Sequence, residues 1–474
     1  MMSRSCTTST SSASSLPPGP SYILRTHAAP VSVLHFTDCG RFLLSGDTDG
    51  FVALWHLMTF RPRFVWKAHD GGLLGVREWG SGALTQGRDN LIRYFPLPPA
   101  SASTTSPSAA LPTSPSTAVS RTSAPAAPAP ASPSAGLSPK EAEWEMPINA
   151  MNFCRFSLFT GDRDGKEGVG QDEQAEGLVA VVSLTKDEFV DVFHMPSQSR
   201  VHRSIGAGAW AVGEKTGSVM AVHLFSLLNS TSPASSPDAA KGDSRLHLLI
   251  AYESGQLALF RFTPTVRFES KAAGSGIGFE MPMKGRMVDE GEGWEMVWVE
   301  KGHRDAVMSF ALSADKRFAY TVGADHFLCK YRVFDLNEEE AALPRVLCES
   351  TPSPGKAGIA VREDGKLLAT AGWDGELRLN SAKTLSPLAV LSHHRTSLQA
   401  VAFSPLSSLN SSSPLRRTPL SSLVDAEGDD EEGSDNEEDG KEEEKGRGRK
   451  WLAAAGQEGK ISLWEVYPPR ASKV

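Results

Sequence analysis

The sequence predicts an all-β fold, a single closed ring of seven small antiparallel sheets. Three observations carry that prediction. A set of His, Ser or Thr, Asp and an aromatic residue recurs along the chain. Short runs of Val, Leu, Ile and Phe alternate with polar residues. Glycine-bearing or similar turns (DTDG, GRDN, ESG, WDG and QEG) bound those runs. One small sheet cannot bury both of its faces, but seven stacked in a ring bury them against one another and leave few free edges.

The first unit supplies His27, Ser45, Asp49 and Trp55. The second has His69, Thr85, Asp89 and Phe95. The third and fourth are degenerate, with Ser183, Asp187 and Phe193 in VAVVSLTKDEFVDVF, then Ser254 and Phe260 in LHLLIAYESGQLALF. The fifth has His303, Thr321, Asp325 and Tyr331, and repeats the 22-residue His-to-Asp separation of the first. The sixth keeps Thr370 and Asp374 but has Asn380 at the aromatic position and no upstream histidine. The seventh opens with His394, is interrupted, and resumes at WLAAAGQEGKISLW with Glu458 and Trp464.

The interruptions are compositional. Residues 98–140 are almost wholly Pro, Ala, Ser and Thr and cannot bury enough apolar surface to order themselves. Residues 161–177 and 229–243 read as surface insertions within blades. The expected division is a disordered tail over 1–20, a propeller over 21–467 and a tail over 468–474. Within the propeller, 21–97 holds a closing strand and blades 1 and 2. The segment 98–140 links blades 2 and 3, 145–262 holds blades 3 and 4, and 264–293 connects blades 4 and 5. Blades 5, 6 and the start of 7 occupy 294–405, a disordered acidic insertion occupies 406–449, and 450–467 completes blade 7.

Charge is equally uneven. Between Asp425 and Lys445 stand 13 acidic residues and two lysines, a local charge of −11; the whole-chain −8 less this −11 leaves +3 for the rest. That run reads as a solvated, disordered loop, or else as a contact for a basic partner. With basic residues scattered over the body, no direct nucleic-acid binding is expected. No run of 18 apolar residues occurs, so no membrane span is expected, and the opening MMSRSCTTSTSSASSLPPGP lacks the apolar core of a secretory signal. Five widely spaced cysteines with no CxxC argue against a disulfide framework and a zinc site. No GxSxG, HExxH or P-loop occurs, so no catalytic residue, cofactor, metal or small-molecule substrate is expected. A His and an Asp could suggest acid–base chemistry, but their recurrence unit after unit is the mark of structure.

These His…Ser/Thr…Asp…Trp units resemble those of WD-repeat β-propellers. The fold implied is a single seven-bladed WD-repeat β-propeller with disordered insertions. In that family the four residues form a hydrogen-bonded set, which here would comprise His27, Ser45, Asp49 and Trp55; His69, Thr85 and Asp89; His303, Thr321 and Asp325; and Thr370, Asp374 and Trp464 in incomplete copies. An N-terminal strand usually completes the last blade, which implies that Ile23 to Arg25 pair beside Ile461 to Trp464. The residue before the turn aspartate commonly points to the top face. Here those are Thr48, Arg88, Lys186, Glu253, Ala324, Trp373 and Gln457, of which Arg88, Glu253 and Trp373 are the candidates for partner binding.

Three stretches resemble something narrower. YILRTHAAPVSVLHF through RPRFVWKAHDGGLLGV, then LTQGRDNLIRYFPL, and the terminal WLAAAGQEGKISLWEVY are similar to the fungal ASTRA-associated protein 1 family, whose animal counterpart is the G-protein β-subunit-like protein 1. That resemblance implies a non-enzymatic nuclear scaffold whose partners are protein subunits of the ASTRA complex. The complex is associated with chromatin remodelling and with the stability and assembly of large kinase-related proteins. The alternatives are a substrate receptor of a cullin-type ubiquitin ligase or another histone- or protein-binding adaptor. The family of such receptors usually carries W-D-x-R at a blade end, and Trp373-Asp374-Gly375-Glu376 lacks the Arg. A heterotrimeric G-protein β subunit begins with a heptad helix, which the Ser/Thr/Pro-rich first 20 residues do not provide.

Overall fold

A computed structural model of the chain describes residues 19–97, 141–149, 153–161, 175–210, 215–228, 244–263, 290–335, 337–406 and 450–466. Within them, seven four-stranded antiparallel sheets form the blades, and the one helix among the described residues is the single turn Glu338–Ala341. In blade 1 the strands run Val31–Phe36, Phe42–Asp47, Phe51–His56 and Arg61–Lys67, from the axis to the rim. Successive inner strands touch: Val31–Phe36 meets Leu73–Trp79 on one side and Leu398–Phe403 of blade 7 on the other, so the ring is closed.

Closure uses both ends of the chain. Tyr22–Arg25 is the outer strand of blade 7 and pairs with Lys460–Glu465, Ile23 opposite Ser462 and Leu24 opposite Ile461. Leu24 is buried among Trp451, Ile461 and Leu463.

The second strand of a blade lies inside its sheet and between two neighbouring blades. It is therefore covered on both faces, and it reads as a continuous run of small and apolar residues instead of alternating. FLLSGD, GLVAVV, LLATAG and WLAAAG are buried along their whole lengths.

Three boundaries differ from the sequence expectation. Trp144–Pro147 pairs with Leu91–Pro96, Tyr94 opposite Trp144, and is the outer strand of blade 2. Residues 98–140 thus fall inside blade 2, not between blades 2 and 3. Likewise Trp294–Lys301 is the outer strand of blade 4, on Gln256–Phe262, so 264–293 interrupts blade 4 and the fifth blade starts later. The cause is an offset: the His-to-aromatic unit covers three inner strands, and the fourth is a rim strand with one open side and a weak pattern. Gly177, assigned to a surface insertion, is instead the buried first residue of the strand Gly177–Val182.

The cysteine expectation also changes. Cys329 and Cys348 face each other across the strands Phe327–Arg332 and Val346–Ser350, with Cα atoms 4.1 Å apart, and form a disulfide. It is one cross-strand bridge joining two strands of blade 5. Cys39 and Cys154 take no part in this bridge. The expectations placed on 98–140, on nearly all of 1–20 and 406–449, and on 468–474 lie outside the described residues.

Candidate functional site

In blades 1, 2, 3, 5, 6 and 7 a polar set ties down the second-to-third-strand turn, and the sets differ. In blade 1, Nδ1 of His27 donates to Asp47 Oδ2 at 2.7 Å, and its Nε2 lies 2.7 Å from Ser45 Oγ. The Trp55 indole N–H donates to the same hydroxyl oxygen at 2.8 Å. Asp47 Oδ1 accepts the N–H groups of Asp49 and Phe51, at 3.0 and 2.9 Å, and so caps the turn. This corrects the sequence assignment: Asp47, not Asp49, completes the set. Asp49 is exposed in the turn. The motif DTDG offers a carboxylate at both places, and counting offsets selects the outer one.

In blade 2, His69 Nδ1 donates to Asp89 Oδ1 at 2.8 Å and Nε2 sits 2.8 Å from Thr85 Oγ1. Asp89 Oδ2 also accepts from Arg93 at 3.0 Å. Partial burial pushes the Asp89 carboxyl up, but His69, the Asp70 N–H and Arg93 outweigh it and hold it below the ordinary value. In blade 5, His303 Nδ1 donates to Asp325 Oδ1 at 2.8 Å, and Asp325 also takes the N–H of Arg304 at 2.8 Å and of Phe327 at 3.0 Å. Burial lowers the His303 pKa against the pull of Asp325; with the proton of the uncharged ring on Nδ1, Nε2 accepts from the Thr321 hydroxyl at 2.7 Å. His69 and His303 are each 1% exposed, closed to any substrate.

The other blades improvise. Asp374 is held by Arg378, at 3.0 and 2.6 Å, and by Ser353 at 2.6 Å. Partial burial raises its pKa, yet these bonds bring it down to about 2. Thr370 is buried opposite Arg378. Where other blades begin with histidine, Lys356 is buried and donates to Thr351 Oγ1 at 2.6 Å and the Ser353 carbonyl at 3.0 Å; burial pulls its pKa to about 8. In blade 7, His394 Nε2 and the Trp464 indole meet at Ser462 Oγ, at 2.8 and 3.0 Å, while Glu458 accepts the N–H of Arg395. Blade 3 uses Asp191, fully buried, which binds Arg200 at 2.6 Å and the N–H groups of Leu184 and Ser204. The sequence signal for Asp191 was a lone acid between valines in EFVDVF.

Above these sets lies the top face, which carries the turns between second and third strands and the loops that lead into each inner strand. Thr48, Arg88, Lys186, Glu253, Trp373 and Gln457 are exposed there, and Ala324 is half-buried. The Arg88 guanidinium lies 5.5 Å from the ring of Phe153, which is 65% exposed. Trp373 stands 43% exposed with its indole laid on Gly355, whose left-handed φ of 75° and close approach to the indole admit no side chain. The Trp373 backbone N–H donates to the Gly355 carbonyl at 3.1 Å. Glu253 is turned inward to accept the N–H of Ser218 at 3.1 Å. The sequence did not single out Phe153, nor Phe51 and Leu184, which are also large, apolar and exposed at this end.

Residues 19–56 match the family model described as WD domain, G-beta repeat. Over 95% of its length the chain is 30% identical to ASTRA-associated protein 1 of Penicillium rubens, covering 98% of that protein. It is 29% identical to the protein of that name from Aspergillus niger, over 95% of this chain and 98% of the other. With the Schizosaccharomyces pombe protein it shares 28% identity, over 82% of this chain and 94% of the other.

Proposed function

The chain belongs to the ASTRA-associated protein 1 family, and from that premise we propose that it is a subunit of the ASTRA complex, holding partners on the top face of the ring. Its role on this reading is that of a non-enzymatic scaffold in the nucleus, serving chromatin remodelling and the stability and assembly of large kinase-related proteins. The observation that carries the reading is the span of the similarity, 95% of the chain. The top-face part rests on Arg88, Phe153 and Trp373: an Arg and two aromatics, exposed, on a rigid ring, are the kind of residues that anchor interfaces.

The test is affinity purification of the tagged full-length chain from nuclear extract, followed by mass spectrometry. Large ASTRA subunits should come with it. Arg88→Glu with Trp373→Ala should weaken their recovery at least tenfold, as losing more than about 1.4 kcal/mol requires, and leave the melting temperature within a few degrees of the parent. Unchanged recovery from the double variant would discard the top face. Recovery of cullin-ligase adaptors in place of ASTRA subunits would discard the ASTRA reading.

A further inference from the structure

The innermost strands open onto the axis of the ring, and their registers define a common level. His35 pairs with Leu44, Arg77 with Leu84, Ser157 with Ala180, His223 with Leu249, Ala311 with Tyr320, Ala360 with Ala369 and Ala402 with Ala453. In every blade this position stands at the same step from the aromatic site of the third strand. Read around the axis it is His, Arg, Ser, His over blades 1 to 4 and Ala, Ala, Ala over blades 5 to 7. One side carries His35, Arg77 and His223, with Ser157 buried between them and its hydroxyl accepting the Leu224 N–H; the other is small and apolar.

A second guanidinium reaches the same wall. Arg155, from the segment entering the inner strand of blade 3, donates through Nη2 to the Ser32 carbonyl of blade 1 at 2.9 Å. Arg77 Nη1 donates to His35 Nδ1 at 2.8 Å. Both arginines are exposed although they stem from the centre of the ring, which places them in the channel. Among the described residues, neither forms a salt bridge, and each donates a hydrogen bond to a neutral acceptor. Their charges also feel one another: burial first, then the Arg77 charge, lowers the Arg155 pKa to about 10, and Arg77 likewise depresses His35 and His223 after burial does. The acids nearby are at the lower mouth. Burial lowers the Arg77 pKa, with Asp38 drawing against it, and Glu78, whose carboxylate takes the Asp38 N–H at 2.8 Å, is pushed by burial to about 7.

Two like charges held together with most of their N–H donors unspent are costly unless an anion joins them. A guanidinium is a planar fork matched to oxyanions. Because a guanidinium only donates, His35 must accept at Nδ1 and carry its proton on Nε2, which leaves an imidazole N–H as a further donor beside the two forks. We propose that the axial channel binds a small multivalent oxyanion of the phosphate class between Arg77 and Arg155, with His35 oriented by Arg77 as an added donor. The alanines of blades 5 to 7 put no carboxylate at that level to compete. The site is independent of the top face and of any partner.

The experiment uses the full-length chain and sodium pyrophosphate, with sodium chloride at matched ionic strength as the blank. Calorimetry at pH 7 should give a saturable single-site heat. Arg77→Gln and Arg155→Gln should each weaken binding at least tenfold. Arg155→Lys, which keeps the charge and loses the fork, should fall between; Arg61→Gln, on the rim of blade 1, should bind as the parent does. Phenylglyoxal labelling of the unaltered chain, read by mass spectrometry, needs no variant to fold: pyrophosphate should protect Arg77 and Arg155 at least threefold and leave Arg61 as reactive as before. Absence of saturable heat, affinity retained in both Gln variants, or equal labelling with and without pyrophosphate would each overturn the site.

Discussion

Asp47 and Asp49 stand two residues apart with opposite duties. Asp47 is buried and serves His27 and two backbone N–H groups, whereas the Asp49 carboxylate makes no hydrogen bond or ion pair among the described residues. Asp47→Ala strands the His27 ring N–H and two turn N–H groups and should lower the unfolding free energy by about 1–3 kcal/mol, while Asp49→Ala should stay within about 0.5 kcal/mol. Urea denaturation of the two variants settles which carboxylate belongs to the set; the reverse order would restore the offset-based choice. Histidines matter differently. Burial pushes His202, His223, His247 and His394 from the ordinary 6.5 to about 4. The unfolded chain protonates them near 6.5 and the folded chain only near 4, so between these values the unfolded state binds more protons. Stability is therefore complete above pH 6.5 and is lost as the pH falls toward 4, by up to about 2 kcal/mol apiece at pH 5. Urea midpoints at pH 7.5 and 5 should differ accordingly, and His394→Gln should narrow the gap; equal midpoints would contradict the burial of neutral rings. At this scale the repeated histidines were legible because three blades use them alike. Lys356 and Asp191 were not: no other blade puts a lysine where histidine stands, and the blade 3 carboxylate comes from within the third strand, four residues past the Asp187 that the offsets select.

Among the elements, the inner three strands of each blade were legible from turn glycines and apolar runs, and even the degenerate third and fourth units fell on strands. The rim strands were not. Trp144–Pro147 and Trp294–Lys301 carry one packed side and one open side, and each is separated from its sheet partner by a long insertion, so no local pattern assigned them to the preceding blade. The disulfide escaped for a similar reason: 19 residues of sequence separate Cys329 from Cys348, and only strand register makes them neighbours. The revised boundary has a consequence for engineering. If 98–140 interrupts blade 2, replacing it by a short Gly/Ser loop preserves the pairing of Leu91–Pro96 with Trp144–Pro147. Closure entropy changes only slowly with the length of a connection, by about 0.6 kcal/mol per halving, so the melting temperature should hold or rise slightly. Extending the excision through Pro147 should instead lower it markedly. That second deletion removes Met146 from its buried cluster with Trp79, Ile92 and Tyr94 and exposes a new edge. Equal melting temperatures for the two deletions would mean that the strand does not belong to blade 2.

For the whole molecule the decisive element is the join. Six blades take their four strands consecutively from the chain, and blade 7 alone takes its outer strand from the opposite end, Tyr22–Arg25. Every neighbouring pair of blades shares a buried seam, so a ring left open at one place has an unsupported blade and a bare strand edge on Lys460–Glu465. Such an edge pairs readily with another chain. Beginning the chain at residue 27 should therefore lower the melting temperature, broaden the transition as blade 7 loosens before the rest, and yield oligomers by sedimentation. A gentler probe is Leu24→Ala. Leu24 is 2% exposed in the cluster that joins blades 7 and 1, so its truncation should cost about 2–5 kcal/mol. Because the side chain alone is cut, strand pairing survives and the variant should remain monomeric. The two changes thus separate the contributions of the seam and the edge. If the shortened chain stays monomeric with the parent's midpoint, the ring does not depend on its N-terminal strand for closure, and the stability of the propeller must reside in the six consecutive blades alone.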